Sequence, residues 1–287
     1  MAGVINIISD KPTANKASLQ LHRATNNTLG VSAVKNFTGN KISLQLFGNR
    51  YSSSRYDLDK NIYGKTADPF RNYSCAAKAF FNFNTQTQLQ SSVRLFTQQQ
   101  FNKYLVYTGN QPGAVEGRGN ETDWSFNNQL HLNFSDRVKL VSRLFVTGYQ
   151  NNADVFLQKD NTLFDHSFLH QFLLKPEIQL ELGHKNNEKF ITGIGYNYET
   201  IDANRYAAKK KFIAVYGYAQ KEWLPFNSLN ITLGARLNKH SLYKAQSNKE
   251  KKSMPIIFVA FFFMAILFWG IKDDGSKNTP VFTLIKP

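Results

Sequence analysis

Trp124–Phe134 reads WSFNNQLHLNF. Even positions carry Trp124, Phe126, Leu130, Leu132 and Phe134, and odd positions carry Ser125, Asn127, Gln129, His131 and Asn133. Side chains alternate faces along an extended chain, so this spacing makes one apolar and one polar face. A helix would scatter the same residues around its axis. The period of two therefore predicts a β-strand.

The pattern recurs along the chain. Phe172, Leu174, Ile178, Leu180 and Leu182 oppose Gln171, Lys175, Glu177, Gln179 and Glu181. Leu229, Ile231, Leu233, Ala235 and Leu237 oppose Ser228, Asn230, Thr232 and Arg236. Leu89, Val93 and Leu95 oppose Gln88, Gln90, Ser92 and Arg94, and Ile42, Leu44 and Leu46 oppose Ser43 and Gln45. We read about eleven strands: 16–25, 28–38, 41–53, 73–84, 86–99, 121–135, 137–150, 167–183, 187–200, 209–224 and 226–241. Many exceed the usual length of about 5–6 residues and match the roughly 9–11 that a tilted membrane strand needs.

Alternation alone also suits a soluble sheet with one wet face. The links separate the two cases. Short ones at Thr38–Asn40, Asn84-Thr85, Ser135-Asp136, Gly183–Asn187 and Pro225-Phe226 alternate with longer ones at 54–72, 100–120, 151–166 and 201–208. Sorting by side is expected of an outer-membrane barrel, with short periplasmic turns and long external loops. Trp124, Tyr149, Tyr196, Tyr198, Tyr216, Tyr218 and Trp223 lie at or near strand ends, where interfacial aromatic girdles form. The expected fold is all-β: an antiparallel transmembrane β-barrel, incomplete, with a C-terminal helix as one reading of the tail.

Composition narrows the function classes. The 287 residues suffice for one large domain or two small ones. Cys75 is the single cysteine, which rules out an internal disulfide and any multi-cysteine metal site. The formal charge is +15, but the cations are scattered, with small clusters at Lys209–Lys211 and Lys249–Lys252. No basic helix, zinc-finger spacing or RNA-binding aromatic signature accompanies them, so no nucleic-acid partner is expected. No nucleophile elbow, metalloprotease motif or phosphate loop is present, and no enzyme is expected. No signal peptide is readable at Met1.

The start of the chain, GVINIIS at Gly3–Ser9, is strand-like and ends near Pro12. This run (Gly3, Val4, Ile5, Asn6, Ile7, Ile8), followed by long amphipathic strands, resembles a TonB-dependent outer-membrane receptor. In that family such a run closes the N-terminal plug domain, and the first barrel strand follows. The third strand, KISLQLFGNRYSSSRYDLD at Lys41–Asp59, is similar to the cobalamin-receptor-like branch, with Tyr56-Asp57 at the base of an external loop. The resemblance covers roughly Ala2 to Asn248. It implies a plug remnant at 1–12, a partial barrel at 13–248 and a non-family tail at 249–287.

The implied function is active import of a large scarce nutrient, cobalamin or an iron chelate, across the cell outer membrane. The implied partners are outer-membrane lipid, the TonB energy-coupling complex of the intact parent, and the small-molecule nutrient. Such barrels have about 22 strands, so the chain reads as the middle of a receptor. A passive outer-membrane pore or structural barrel and a soluble carbohydrate-binding β-protein are the alternatives.

Candidate sites follow from the same geometry. Gln90, Arg94, Asn127, Gln129, Lys139, Arg143, Lys175 and Glu177 are expected to face the lumen and hydrogen-bond a plug. Asp57 and Asp59 sit where carboxylates could hold calcium, or they are solvated loop charges. No other cofactor is expected. His166 and His170 lie four apart in an extended stretch, too far apart for an easy two-ligand metal site. Gly113, Gly117 and Gly119 read as giving the 100–120 loop mobility.

The tail differs in kind. Pro255–Ile271 is an unbroken apolar run of about 17 residues, the lower limit for a spanning helix, with Lys251 and Lys252 before it and Asp273 and Asp274 after it. The other reading is a frameshift after Asn248. It is preferred because an outer-membrane barrel has no place for such a helix.

Overall fold

Among the residues that the computed structural model describes, eleven strands in strict sequence order, each antiparallel to the next, make a single sheet. The structure describes residues 11–54, 56–59, 61, 63–64, 66–108, 111–183, 188–226 and 229–241. The Gly3–Ile8 run and the 249–287 tail with its apolar segment lie outside the described residues.

The strands are β1 (Ala17–Ala24), β2 (Thr28–Thr38), β3 (Ile42–Ser53), β4 (Phe70–Asn82), β5 (Thr87–Thr108), β6 (Gln111–Ser135), β7 (Val138–Leu157), β8 (Leu163–Gly183), β9 (Lys189–Ala203), β10 (Lys210–Phe226) and β11 (Leu229–His240). Order and register follow from turn chemistry. Asn26 and Asn27 take φ of 58° and 50° between β1 and β2, in the left-handed region that asparagine tolerates. Asn84 Oδ1 accepts from the amides of Gln86 (2.8 Å) and Thr87 (2.6 Å), closing β4 onto β5. Ser135 Oγ does the same for Arg137 and Val138 at 3.3 and 3.2 Å, closing β6 onto β7.

Two expectations are corrected. The stretches 100–120 and 151–166 are not loops. β5, β6, β7 and β8 run for 22, 25, 20 and 21 residues, and only short links join β5 to β6 and β7 to β8. Gly113, Gly117 and Gly119 are strand residues paired with Val106, Asn102 and Gln100. Cross-strand contacts override their weak strand preference. Lys103 Nζ meets Glu116 Oε2 at 3.3 Å, and the Arg118 guanidinium lies 4.9 Å from the Phe156 ring centroid. The extra length falls on the expected side of the sheet, as projecting hairpins.

The second correction concerns the aromatics. Tyr149, Tyr216 and Tyr218 belong to the polar face, in register with Gln171, Gly195 and Gly193. Trp124, Tyr196, Tyr198 and Trp223 lie on the apolar face.

That apolar face has nothing of the chain packed over it among the described residues. Leu19, Leu21, Phe134, Ile178 and Ile194 are each more than half exposed. Its greasy stretch is short: Trp124 to Phe134 on β6 and Phe172 to Leu182 on β8, close to the roughly 9–11 residues of a tilted span. Beyond Trp124 the same face turns to Thr122, Asn120 and Arg118. Trp124, Phe172 and Tyr198 mark the boundary as an aromatic row, with ring centroids 6.4 and 6.5 Å apart. An exposed apolar band of this width, bounded by aromatic and then polar rows, is the pattern of a lipid-facing barrel wall.

Candidate functional site

The register gathers the predicted inward residues onto one face. Gln90 stands opposite Gln129, Gln129 opposite Arg143, and Arg143 opposite Glu177, making one continuous row across β5 to β8. Asn127 and Lys175 flank Phe145 in the next row, and Lys139 stands opposite Glu181. Arg94 donates to Asp123 Oδ2 at 2.6 Å.

The row continues past Glu177 into residues that local pattern reading missed. Glu177 pairs with Gly195 on β9, and Gly195 with Tyr216 on β10. One row along, Gln179 pairs with Gly193, and Gly193 with Tyr218. Both tyrosines lie flat across the glycines. A Cβ on Gly193 would come within 2.6 Å of the Tyr218 ring, and one on Gly195 would collide with the ring of Tyr216. The absent side chains let the phenols cross a whole strand.

The Tyr216 hydroxyl donates to Glu177 Oε2 at 2.6 Å, and the Tyr218 hydroxyl to Gln179 Oε1 at 2.9 Å. Arg143 Nη1 donates to Glu177 Oε1 at 2.8 Å and to Gln179 Oε1 at 2.9 Å. The Arg236 guanidinium stacks 4.1 Å from the Tyr216 ring centroid, and the Lys175 ammonium lies 5.9 Å from it. Tyr216 is 2% exposed, so this wall is packed even where it is polar. A usable signal existed: Gly193 and Gly195, two apart, face Tyr216 and Tyr218, two apart, across the next turn.

This arrangement is a fixed array of charge-assisted hydrogen bonds with no nucleophile–base pair. It can hold a surface rigid and present its unused groups. Ser43 Oγ, Asn72 Oδ1 and Asn197 Oδ1 on the same face are buried without a hydrogen-bond partner. Each is an open position for a partner group.

Asp57 and Asp59 lie in the 54–69 link, near the Tyr56–Ala67 bridge. Asp59 Oδ1 accepts from the Asn61 amide at 2.9 Å. Asp68 in the same link has its pKa raised by burial. No group of three or more His, Cys, Asp or Glu able to hold a metal ion occurs among the described residues. His166 and His170 are engaged separately: His166 Nδ1 lies 2.6 Å from Asp154 Oδ1, and His170 Nε2 lies 3.1 Å from Asn152 Oδ1.

No protein-family model matches the chain, and no curated protein matches it. Solved structures do. A point mutant of the ferric enterobactin receptor of Pseudomonas aeruginosa superposes with a TM-score of 0.59 at 11% identity, over 79% of this chain and 39% of that one. The copper transporter OprC gives 0.57 at 9% identity, over 80% and 38%. The siderophore receptor PirA of Acinetobacter baumannii gives 0.54 at 11% identity, over 80% and 40%.

The fold is therefore that of the β-barrel wall of TonB-dependent receptors. More particularly, the chain spans about two fifths of the length of the receptors it matches.

Proposed function

We propose that the chain forms part of the wall of an outer-membrane receptor that actively imports a large scarce nutrient. The apolar band faces outer-membrane lipid, and the opposite face, from Gln90 and Arg94 through Asn127, Gln129, Lys139, Arg143, Lys175 and Glu177, lines the lumen. One observation carries this reading: the sheet exposes a membrane-wide apolar band on one face and a hydrogen-bonded polar array on the other. Ser43, Asn72 and Asn197 are the positions at which a plug would be met.

Its structural neighbours, siderophore receptors and a copper transporter, favour a metal chelate or metal as cargo over cobalamin. Energy would come through a TonB complex acting on the whole receptor. Residues 1–12 are assigned to the end of a plug and 13–248 to the wall. Asp57 and Asp59 stand as calcium candidates, tested by calcium-dependent protection of the 54–69 link from protease.

Insertion tests the reading against both alternatives. The full chain is refolded into phosphatidylcholine vesicles and into planar bilayers. A receptor wall gives β-structure that is protease-protected over the apolar band and carries no steady unitary current. Steady unitary currents would establish the passive pore. Folding in detergent-free buffer would establish the soluble carbohydrate-binding protein and end the receptor reading.

A further inference from the structure

The apolar face of β1–β5 ends differently from that of β6–β9. On the link side of Leu19, Ala33, Gly48, Cys75 and Leu95, the next row is Leu21, Val31, Arg50, Tyr73 and Thr97. The row after it is Arg23, Leu29, Ser52, Arg71 and Gln99. Three arginines thus stand on the lipid-facing side, directly beyond the greasy band, and these two rows of β1–β5 hold no carboxylate. Across β5 and β6 the cations beyond the band are instead matched: Lys103 and Arg118 both meet Glu116.

Among the described residues, none of Arg23, Arg50 and Arg71 has an acidic partner. Arg50 Nε is buried with no acceptor at all. Arg50 and Arg71 are diagonal neighbours on paired strands, with backbones roughly 7–8 Å apart, close enough for two guanidinium groups to converge on one anion. Arg23 lies two strands and one row from Arg50, about 12 Å away, and adds to the same field.

We infer that Arg50 and Arg71 form a binding site for the phosphate of a membrane lipid in the leaflet on the side of the 54–69 link. The guanidinium fork matches phosphate oxygens two at a time. A lipid rather than a free phosphate is the occupant because the site opens onto Leu21, Val31 and Cys75 of the same face. Those residues lie where the acyl chains of a lipid held by its headgroup would run. Tyr73, 44% exposed and directly opposite Arg50, supplies an interfacial ring at the same level. The inference rests on the barrel-wall reading of the preceding section.

Cys75 gives the test its probe, because it is the single cysteine and lies on this face next to the site. The full chain, labelled at Cys75 with an environment-sensitive fluorophore, is refolded into phosphatidylcholine vesicles. Quenching is compared for spin-labelled phosphatidic acid and spin-labelled phosphatidylcholine. Preference for phosphatidic acid is expected. It falls about fivefold with Arg71→Gln and again with Arg50→Gln, and is unchanged in Lys78→Gln on the opposite face.

Equal quenching by the two lipids overturns the inference. So does a preference that survives in the double variant, which would reflect only the overall positive charge. Loss of the preference in the presence of inorganic phosphate reassigns the site to free phosphate and overturns the lipid assignment. Arg71 is exposed, so its variant keeps the test valid where Arg50→Gln fails to fold. The label's emission reports insertion by itself: no shift to an apolar environment sinks the barrel-wall reading, whereas insertion without lipid preference sinks only this site.

Discussion

Tyr216 on β10 donates a 2.6 Å hydrogen bond to Glu177 on β8, across a strand to which neither belongs. The bond exists because Gly195 leaves the row open between them. Glu177 also takes Arg143, so carboxylate, guanidinium and phenol act as one unit. Tyr216→Phe and Glu177→Gln, alone and together, are expected to be non-additive, with a coupling of roughly 0.5–3 kcal/mol. Urea unfolding of the vesicle-inserted chain measures it, and simple additivity would mean the phenol contributes only packing.

Gly195→Ala is expected to lower the unfolding midpoint, costing about 1–3 kcal/mol, because its methyl group meets the Tyr216 ring. Gly217→Ala on the neighbouring strand is the contrast. Its nearest neighbour is the Gly193 carbonyl oxygen at 3.7 Å, an ordinary contact, so that variant stays close to the parent. Equal effects at the two positions would show that strand propensity, and not the tyrosine, decides.

Cys75 sits on the apolar face, opposite Gly48 and Leu95. After insertion, a charged, membrane-impermeant maleimide is expected to leave it unmodified, while a lipophilic maleimide reacts. Denaturation should restore reaction with both. Rapid labelling by the charged reagent in vesicles would place this face in water.

Trp124 and Trp223 lie on the apolar face at opposite edges of the band. Chains keeping one or the other tryptophan are expected to be quenched best by lipids brominated near the headgroup, and poorly by those brominated at the acyl terminus. Deep quenching at Trp124 would move the boundary set by Trp124, Phe172 and Tyr198.

Asp160 lies in the short β7–β8 link. The Thr162 hydroxyl and amide, at 2.7 and 3.1 Å, hold its carboxyl below the ordinary aspartate value of 3.8. Its contribution to the hairpin is therefore present above that value and is lost as pH falls through the depressed pKa. Thr162→Val should raise the Asp160 pKa toward 3.8, read by carboxyl-carbon NMR titration.

Most of this wall was legible from alternation. The strand number and the shared face of Gln90, Gln129, Arg143 and Glu177 follow from the period of two, since parity within each strand assigns faces, and the short links imply the consecutive order. The continuation of β5–β8 was not legible. Pro112, Gly113, Gly117 and Gly119 are loop-forming by local preference, and only pairing across strands, such as Lys103 with Glu116, holds them extended. Tyr216 and Tyr218 share parity with Gln220. Their aromatic character suggested an interfacial girdle, whereas that parity places them on the polar face. The Arg143–Glu177–Tyr216 unit depends on register accumulated over several strands, which turn geometry sets and no local window contains.

The number of strands has a consequence for closure. Among the described residues each link reverses direction and the count is odd, so β1 and β11 point the same way. The sheet therefore cannot seal its own two edges with an antiparallel seam. Two copies inserted in the same sense cannot seal each other either, since both junctions would join strands running in parallel. Any polypeptide that completes this ring in the antiparallel style must bring an odd number of strands, entering and leaving against the direction of β1. Two such walls inserted in the same sense would therefore meet only through parallel seams, whereas a complement with an odd number of strands keeps every junction antiparallel.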